Sequence, residues 1–299
     1  MRLRITRGNI TDRLTSTHCQ SGLAYLTCFR GYLLSFPHCS LIVMADRDPP
    51  IRNDEARWSD FDADEYYKIN YLSVLPEDAE IIHSASKFLI EACGPPSALR
   101  RAVDVGAGTN LYPSLLMIPW AEHIVLTEYA PYNIDWLRQN LAEAPGGWPW
   151  QPFWDLVADL PGYRAVEDPR SRLAAAHQIR RESIFKLPER TWDLGTMFFV
   201  ADGMTNDVAE FELAVRKFLA ALLPGSPFLM AFMEGSGGYQ VLGTPFPSVK
   251  ITPRSLDELL ANLPVTGTSV LRTDNSVRRL RSGYEAMLLV TGFVAMESR

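Results

Sequence analysis

The residues best suited to chemistry stand together in one short segment, Asp104-Val105-Gly106-Ala107-Gly108-Thr109-Asn110-Leu111-Tyr112. The apolar run Ala102 to Val105 suits a buried parallel strand, and Gly106 and Gly108 then supply a tight turn without Cβ atoms, so that backbone can approach a ligand closely. Leu111 to Met117 predicts a helix whose first N–H groups face the same point. A second apolar run, Ile124 to Tyr129, carries Glu128 near its end, where a carboxylate can accept hydrogen bonds from both hydroxyls of a ribose.

A dinucleotide-binding fingerprint would place a third glycine at position 111, where helix and strand pack and a pyrophosphate is cradled. That position is Leu111, which counts against a nicotinamide-dependent reductase. A cofactor with a ribose and no pyrophosphate is implied, and S-adenosylmethionine fits. Methyl transfer from a sulfonium is an in-line displacement that asks for alignment and exclusion of water, with no metal or covalent intermediate. The five histidines, His18, His38, His83, His123 and His177, form no ligand pair, and no metal site is expected. Two acids, Asp202 and Glu234, follow candidate strands four and five, at the strand ends where an open α/β sheet keeps its ligands. They are the candidate catalytic residues, and Tyr239 is placed either to stack on an aromatic substrate or to join the core.

The elements that must hold these residues alternate between two periodicities. Helices are predicted over residues 79–93, 132–141, 153–160, 173–178, 210–222 and 255–263, the last opened by a Ser255 cap with Glu258 three residues on. Strands are predicted at Ala102 to Val105, Ile124 to Tyr129, Ser183 to Phe185, Leu194 to Val200, Phe228 to Met233, Val265 to Leu271 and Glu285 to Thr291. The runs at 194–200 and 228–233 are apolar on both faces, as strands of a parallel sheet covered by helices must be, so the fold class is α/β. Trp148, Trp150, Phe153 and Trp154 follow the turn-rich stretch Ala144 to Gly147, and a packing role is expected for them.

From about Trp58 to Gly292 the chain resembles the nicotinamide, phenylethanolamine and thioether S-methyltransferase family of small-molecule methyltransferases, and its bacterial branch most of all. The upstream segment Phe61-Asp62-Ala63-Asp64-Glu65-Tyr66-Tyr67-Lys68-Ile69-Asn70-Tyr71 is similar to the family's lid, which places Tyr66 and Tyr71 over the cofactor. The resemblance implies that Thr109 and Tyr112 reach the methionine part, that Glu128, Tyr129 and Asn133 surround the ribose, and that Glu182 and Ser183 lie on the adenine side. Trp192 to Asp202, with Phe198, matches the fourth strand and the floor, and Ala231 to Glu234 matches the end of the fifth. The implied fold is a Rossmann-like, seven-stranded, mostly parallel sheet with helices on both faces and an N-terminal helical lid. Glu234 would orient an amine-bearing acceptor. The first expectation is methylation of an amine nitrogen in an aromatic or arylalkylamine compound. The second is C-methylation of an electron-rich ring such as an indole in a natural-product pathway, and a third, of another class, is a non-catalytic cofactor-binding regulator.

At 299 residues, with 47% hydrophobic and 21% charged residues, the chain can bury a full core in one domain. The net charge of −6 argues against binding to nucleic acid or an anionic membrane, which needs clustered Lys and Arg. The short basic groups Arg180-Arg181 and Arg278, Arg279 and Arg281 are expected to be solvated. A monomer in the cytoplasm, acting on a small molecule, is expected. Residues 1–43 differ from the rest: they hold five arginines, one acid (Asp12) and three of the four cysteines, Cys19, Cys28 and Cys39. This stretch reads as an extension without a fold of its own or a misplaced start, residues 44–97 as a helical cap or lid, and residues 98–299 as the methyltransferase domain. Intact mass of the protein from its native host is expected to correspond to a start at Met44; a mass beginning at Met1 overturns that expectation.

Overall fold

The computed structural model describes residues 49–96, 100–141, 148–273 and 283–296. The expectations for residues 1–43, for Ala144 to Gly147 and for Arg278, Arg279 and Arg281 lie outside the described residues. From the lid segment onward, α1 (Ala63–Asn70) and α2 (Pro76–Cys93) lead into β1 (Arg100–Val105), α3 (Tyr112–Met117), β2 (Ala121–Glu128) and α4 (Pro131–Leu141). Then come α5 (Gln151–Asp155), α6 (Pro169–Ala176), β3 (His177–Arg181), β4 (Leu194–Phe198), α7 (Val208–Ala221) and β5 (Pro227–Glu234). A hairpin of β6 (Tyr239–Val241) and β7 (Thr244–Phe246) precedes α8 (Pro253–Leu260), β8 (Val265–Arg272) and β9 (Ala286–Val294).

Seven of these strands form one sheet in the order β3-β2-β1-β4-β5-β9-β8. The pairs from β3 through β5 are parallel, and β9 runs antiparallel to both β5 and β8. This is the Rossmann-like, mostly parallel arrangement expected, with the last strand reversed. Along β5 the side chains alternate between two cores: Leu229, Ala231 and Met233 join Ile81 and Leu89 of α2 and Leu115 of α3 on one face, while Phe228, Met230 and Phe232 join Phe218 of α7 and Leu256 of α8 on the other. A strand buried on both faces in this way has no polar side to display, which is why its sequence is continuously apolar. Helix α2 is thus built into the core, and residues 50–299 group as one compact unit. No helix among the described residues is long and apolar enough to cross a membrane.

Four local expectations are corrected. The third strand is His177–Arg181, not Ser183 to Phe185. It lies at the sheet edge with its residues exposed or half-buried, so no apolar signal was needed to form it, and the helix before it stops at Ala176. The predicted helix over 153–160 shrinks to α5, after which the chain continues through i→i+3 bonds from Val157 and Leu160 until Pro161 and Gly162 end it. Helix α8 is capped by Thr252, whose side chain accepts from the Ser255 N–H while the Ser255 hydroxyl accepts from the Thr252 N–H, so the capping box sits three residues upstream of the one expected. Glu258 is instead ion-paired with Arg254 at 2.9 Å. The β6–β7 hairpin was not foreseen: its two turn residues, Leu242 (φ 47) and Gly243 (φ 80), both adopt positive φ, the geometry of a tight hairpin turn that a leucine does not advertise.

Asp104, at the carboxyl half of β1, ties three elements together. Its Oδ2 accepts from the Ser114 hydroxyl of α3 at 2.6 Å and its Oδ1 from the Thr196 hydroxyl of β4 at 2.7 Å. Burial pushes this carboxyl up to about 7, against the pull of the two hydroxyl donors, whereas in an unfolded chain it titrates at roughly 4. The folded state therefore holds a proton that the unfolded state releases over that interval. Stability from this group is complete below the unfolded value and is lost as pH rises through about 7. Asp104→Asn removes the titration and retains one acceptor, so its Tm is expected to fall less than wild type's between pH 5 and 8; calorimetric melts with parallel pH profiles would refute this.

Candidate functional site

The carboxyl ends of β1, β2 and β4 converge on one cavity of about 790 Å³, counted with its mouth. The turn after β1 forms its floor. Gly106 has φ 67, and a Cβ there would lie 2.5 Å from Val200 Cγ1, so any larger residue collides with the chain just after β4 as well as straining the backbone. The Ala107 N–H donates to Thr127 O at 3.0 Å, locking the turn onto β2. The following helix does not offer the array of free N–H groups expected of it. The Tyr112 N–H is taken by Asn110 Oδ1 at 3.2 Å and Pro113 has none to give, so the pyrophosphate cradle is missing in geometry as well as in the residue at 111.

Glu128 closes the end of β2. Its Oε2 accepts from the Gly108 N–H at 2.9 Å, and its Oε1 from the N–H groups of Tyr129 at 2.6 Å and Ala130 at 2.7 Å. Desolvation raises its pKa, and these donors together with Asn133 counter the rise. The backbone donors leave Oε2 as the oxygen with spare acceptor capacity. Around it, Thr109 Oγ1, Asn110 Nδ2, Thr127 Oγ1 and Asn133 Oδ1 are buried without a hydrogen-bond partner, and all four residues line the cavity. Buried polar groups are nearly always paired. This set of hydroxyls and carboxamides is suited to ribose hydroxyls and to an amino-acid end, which matches the polar parts of S-adenosylmethionine.

Of the residues singled out from the sequence, the cavity wall gathers Tyr66, Tyr71, Gly106, Gly108, Thr109, Glu128, Tyr129, Asn133, Glu182 and Phe198. Tyr66 and Tyr71, at the end of α1 and just after it, hold their rings 6.2 Å apart. Four others stand off the wall. Tyr112 is a buried layer behind it, stacked on Phe153 at 5.8 Å and edge-on to Tyr71 and Phe198. Ser183 caps a short 3-10 turn by accepting from the Phe185 N–H, and Ile184 takes the wall position beside it. Asp202 is buried, with Oδ2 accepting from the Met233 N–H at 2.8 Å and its carbonyl from the Val249 N–H at 2.8 Å. Glu234 accepts from Arg272 Nε at 2.6 Å.

The wall also includes residues that motif reading passed over, among them Asn53, Trp58, Phe61, Phe199 and Met204. Phe199 carried a signal only in three dimensions: its φ of 60 is a strained conformation for an aromatic residue, and such outliers gather at functional sites. Trp150, Phe153 and Trp154 are buried in the core, the packing role expected of that cluster.

Residues 51–280 match the NNMT/PNMT/TEMT family. The chain belongs to this family. Among curated proteins it is similar to nicotinamide N-methyltransferase of Homo sapiens, 25% identical over 47% of this chain and 56% of that protein. It is also similar to indolethylamine N-methyltransferase of Mus musculus, 23% identical over 41% of this chain and 50% of that protein. The match thus spans about half the length of these relatives. Among solved structures, the CcbJ methyltransferase from Streptomyces caelestis shares the fold, with a TM-score of 0.50, 14% identity, and coverage of 80% of this chain and 98% of that one.

Glu128→Ala would leave the N–H groups of Gly108, Tyr129 and Ala130 without their acceptor. A loss of about 1.5–3 kcal/mol in unfolding free energy is expected from three charge-assisted bonds of partly compensated strength, with weaker binding of S-adenosylhomocysteine. Denaturant titration and calorimetry check both, and unchanged values in both would remove Glu128 from its assigned place.

Proposed function

We propose that this protein transfers a methyl group from S-adenosylmethionine to a nitrogen atom of a small aromatic acceptor. The observation that carries the reading is the group of buried, unpartnered polar atoms on Thr109, Asn110, Thr127 and Asn133, lined up along a cavity that opens at the glycine turn of a family member. When bound, the cofactor supplies an electrophilic methyl on a sulfonium. The chain's own task is to hold that group, aim the acceptor and keep water out.

In this reading Glu128, Thr127 and Asn133 hold the ribose, and Tyr129, Glu182 and Ile184 flank the adenine. Thr109 and Asn110 take the amino-acid end, and Tyr66 and Tyr71 close over it. The acceptor enters beside Phe199, Met204 and Tyr239. Asp202 and Glu234 act as positioning residues at this end: the first joins the exit of β4 to the end of β5, and the second is held in place by Arg272. Attack by nitrogen is favoured because a lone pair needs no proton removed beforehand. Among the described residues, the cavity lining at the acceptor end includes tyrosines but no His, Lys or carboxylate to take a ring proton, as C-methylation of an indole would require. The N-methyltransferase activity named for the two curated relatives points the same way.

Two measurements test the proposal. Calorimetry is expected to show S-adenosylhomocysteine binding one-to-one at micromolar affinity, and labelled methyl from S-adenosylmethionine should appear on nitrogen in a panel of small aromatic compounds, read by product NMR. Cofactor binding without transfer to any of them would favour a cofactor-sensing regulator, and absence of binding would remove the methyltransferase reading.

A further inference from the structure

The acceptor end of the cavity is walled by Trp58, Phe61, Tyr66 and Tyr239. Phe246 of the hairpin stands behind them, stacked on Trp58 at 5.4 Å and on Tyr239 at 5.4 Å and edge-on to Phe61 at 5.2 Å. Interlocked rings of this kind give a flat, stiff slot, since each is held in place by the next. Asn53, in the same wall, offers a directed polar contact. Asn53 is buried, and both its carbonyl oxygens are used by the Trp58 indole N–H: the backbone oxygen at 2.8 Å and Oδ1 at 3.1 Å. An indole N–H can only donate, so it fixes the orientation of the carboxamide and leaves the Nδ2 protons as what Asn53 can present to a ligand.

The backbone beneath Asn53 is latched to the turn before α7. The Asn53 N–H donates to Glu210 Oε2 at 2.9 Å, the Ile51 N–H to Asn206 Oδ1 at 2.6 Å, and the Thr205 hydroxyl to Ile51 O at 2.9 Å, while Arg52 pairs with Asp207 at 3.1 Å. The donor is therefore preorganised, which is what makes a buried hydrogen bond discriminate between ligands.

Charge is arranged with equal consistency. The acidic cavity residues, Glu128 and Glu182, belong to the cofactor end. Glu234, after β5, is nearly fully buried off the cavity wall and is paired with Arg272 at 2.6 Å. Among the described lining residues an alkylammonium entering the slot would meet no counter-charge, and it would sit close to the positive sulfonium in a medium of low dielectric, where like charges repel strongly. It would also lack the free lone pair that attack requires.

We infer that this end of the site selects an uncharged, planar aromatic acceptor bearing a hydrogen-bond acceptor on its edge, with Asn53 as the specificity residue that reads the edge. The inference rests on the methyl-transfer reading, and the test separates the two. The full-length protein, saturated with S-adenosylhomocysteine, is titrated with indole-3-carboxamide and with tryptamine, which share a ring and differ in charge. The carboxamide is expected to bind at least tenfold more tightly. Asn53→Leu should weaken the carboxamide about tenfold while leaving S-adenosylhomocysteine affinity unchanged, and that unchanged affinity also shows that the variant is folded. Asn53→Asp should narrow or reverse the preference by giving the ammonium an anion. Equal or tighter binding of tryptamine to wild type, no binding of the carboxamide to the loaded protein, or a ratio unmoved by Asn53→Leu would overturn the inference. Failure of S-adenosylhomocysteine itself to bind would overturn the methyltransferase reading instead.

Discussion

The carboxylate of Glu128 is the point on which the site depends. It joins the glycine turn after β1 to the chain leaving β2 by accepting from Gly108, Tyr129 and Ala130. Both loops run over the top of the sheet, where no strand partner exists for their N–H groups, and the carboxylate satisfies them in place of a neighbouring strand. Burying a charge is unfavourable unless donors surround it. The same donors that make the burial tolerable hold open the space into which a ligand fits.

A second carboxylate works one layer below. Asp104 links β1, α3 and β4 through two hydroxyls, so the three elements that frame the glycine turn keep a common register. Above the sheet, polar pairing gives way to aromatic packing. Trp58 and Phe61 come from the segment before α1, and Tyr239 and Phe246 from the hairpin after β5. They are far apart in the chain and are brought together by ring contacts at 5.1–6.0 Å, with Tyr66 touching Phe61 and Tyr239 and Phe246 touching Trp58, Phe61 and Tyr239. The end of the cavity at the glycine turn is thus built from short-range geometry around two glycines, and the opposite, aromatic end from long-range apolar contacts. This division is consistent with a family in which one cofactor serves different acceptors, because loops and lids can vary without disturbing the sheet.

Much of this was legible beforehand. The glycine turn, Glu128 and the buried strands could be read because each follows from a local rule: burial on both faces of a strand, a turn that only glycine enters, and a carboxylate at the end of a strand; Tyr66 and Tyr71 were picked out only through the resemblance to the family. The edge strand His177–Arg181 was not legible, since a strand with one open side needs no apolar pattern. Nor was the Leu242–Gly243 hairpin turn, where the fold imposes a positive φ on a leucine.

The sequence by itself determined the fold class and marked the glycine turn after β1, because those depend on residues within a few positions of one another. Only the tertiary structure decided which acids face the cavity. Asp202 and Glu234 stand at strand ends where ligands bind, yet one is spent on the Met233 N–H and the other on Arg272. Only the tertiary structure, again, brought Asn53 to the wall, through its latch to Glu210. The physical reason is that a side chain's availability depends on which distant groups reach it first, and no spacing in the chain records that competition.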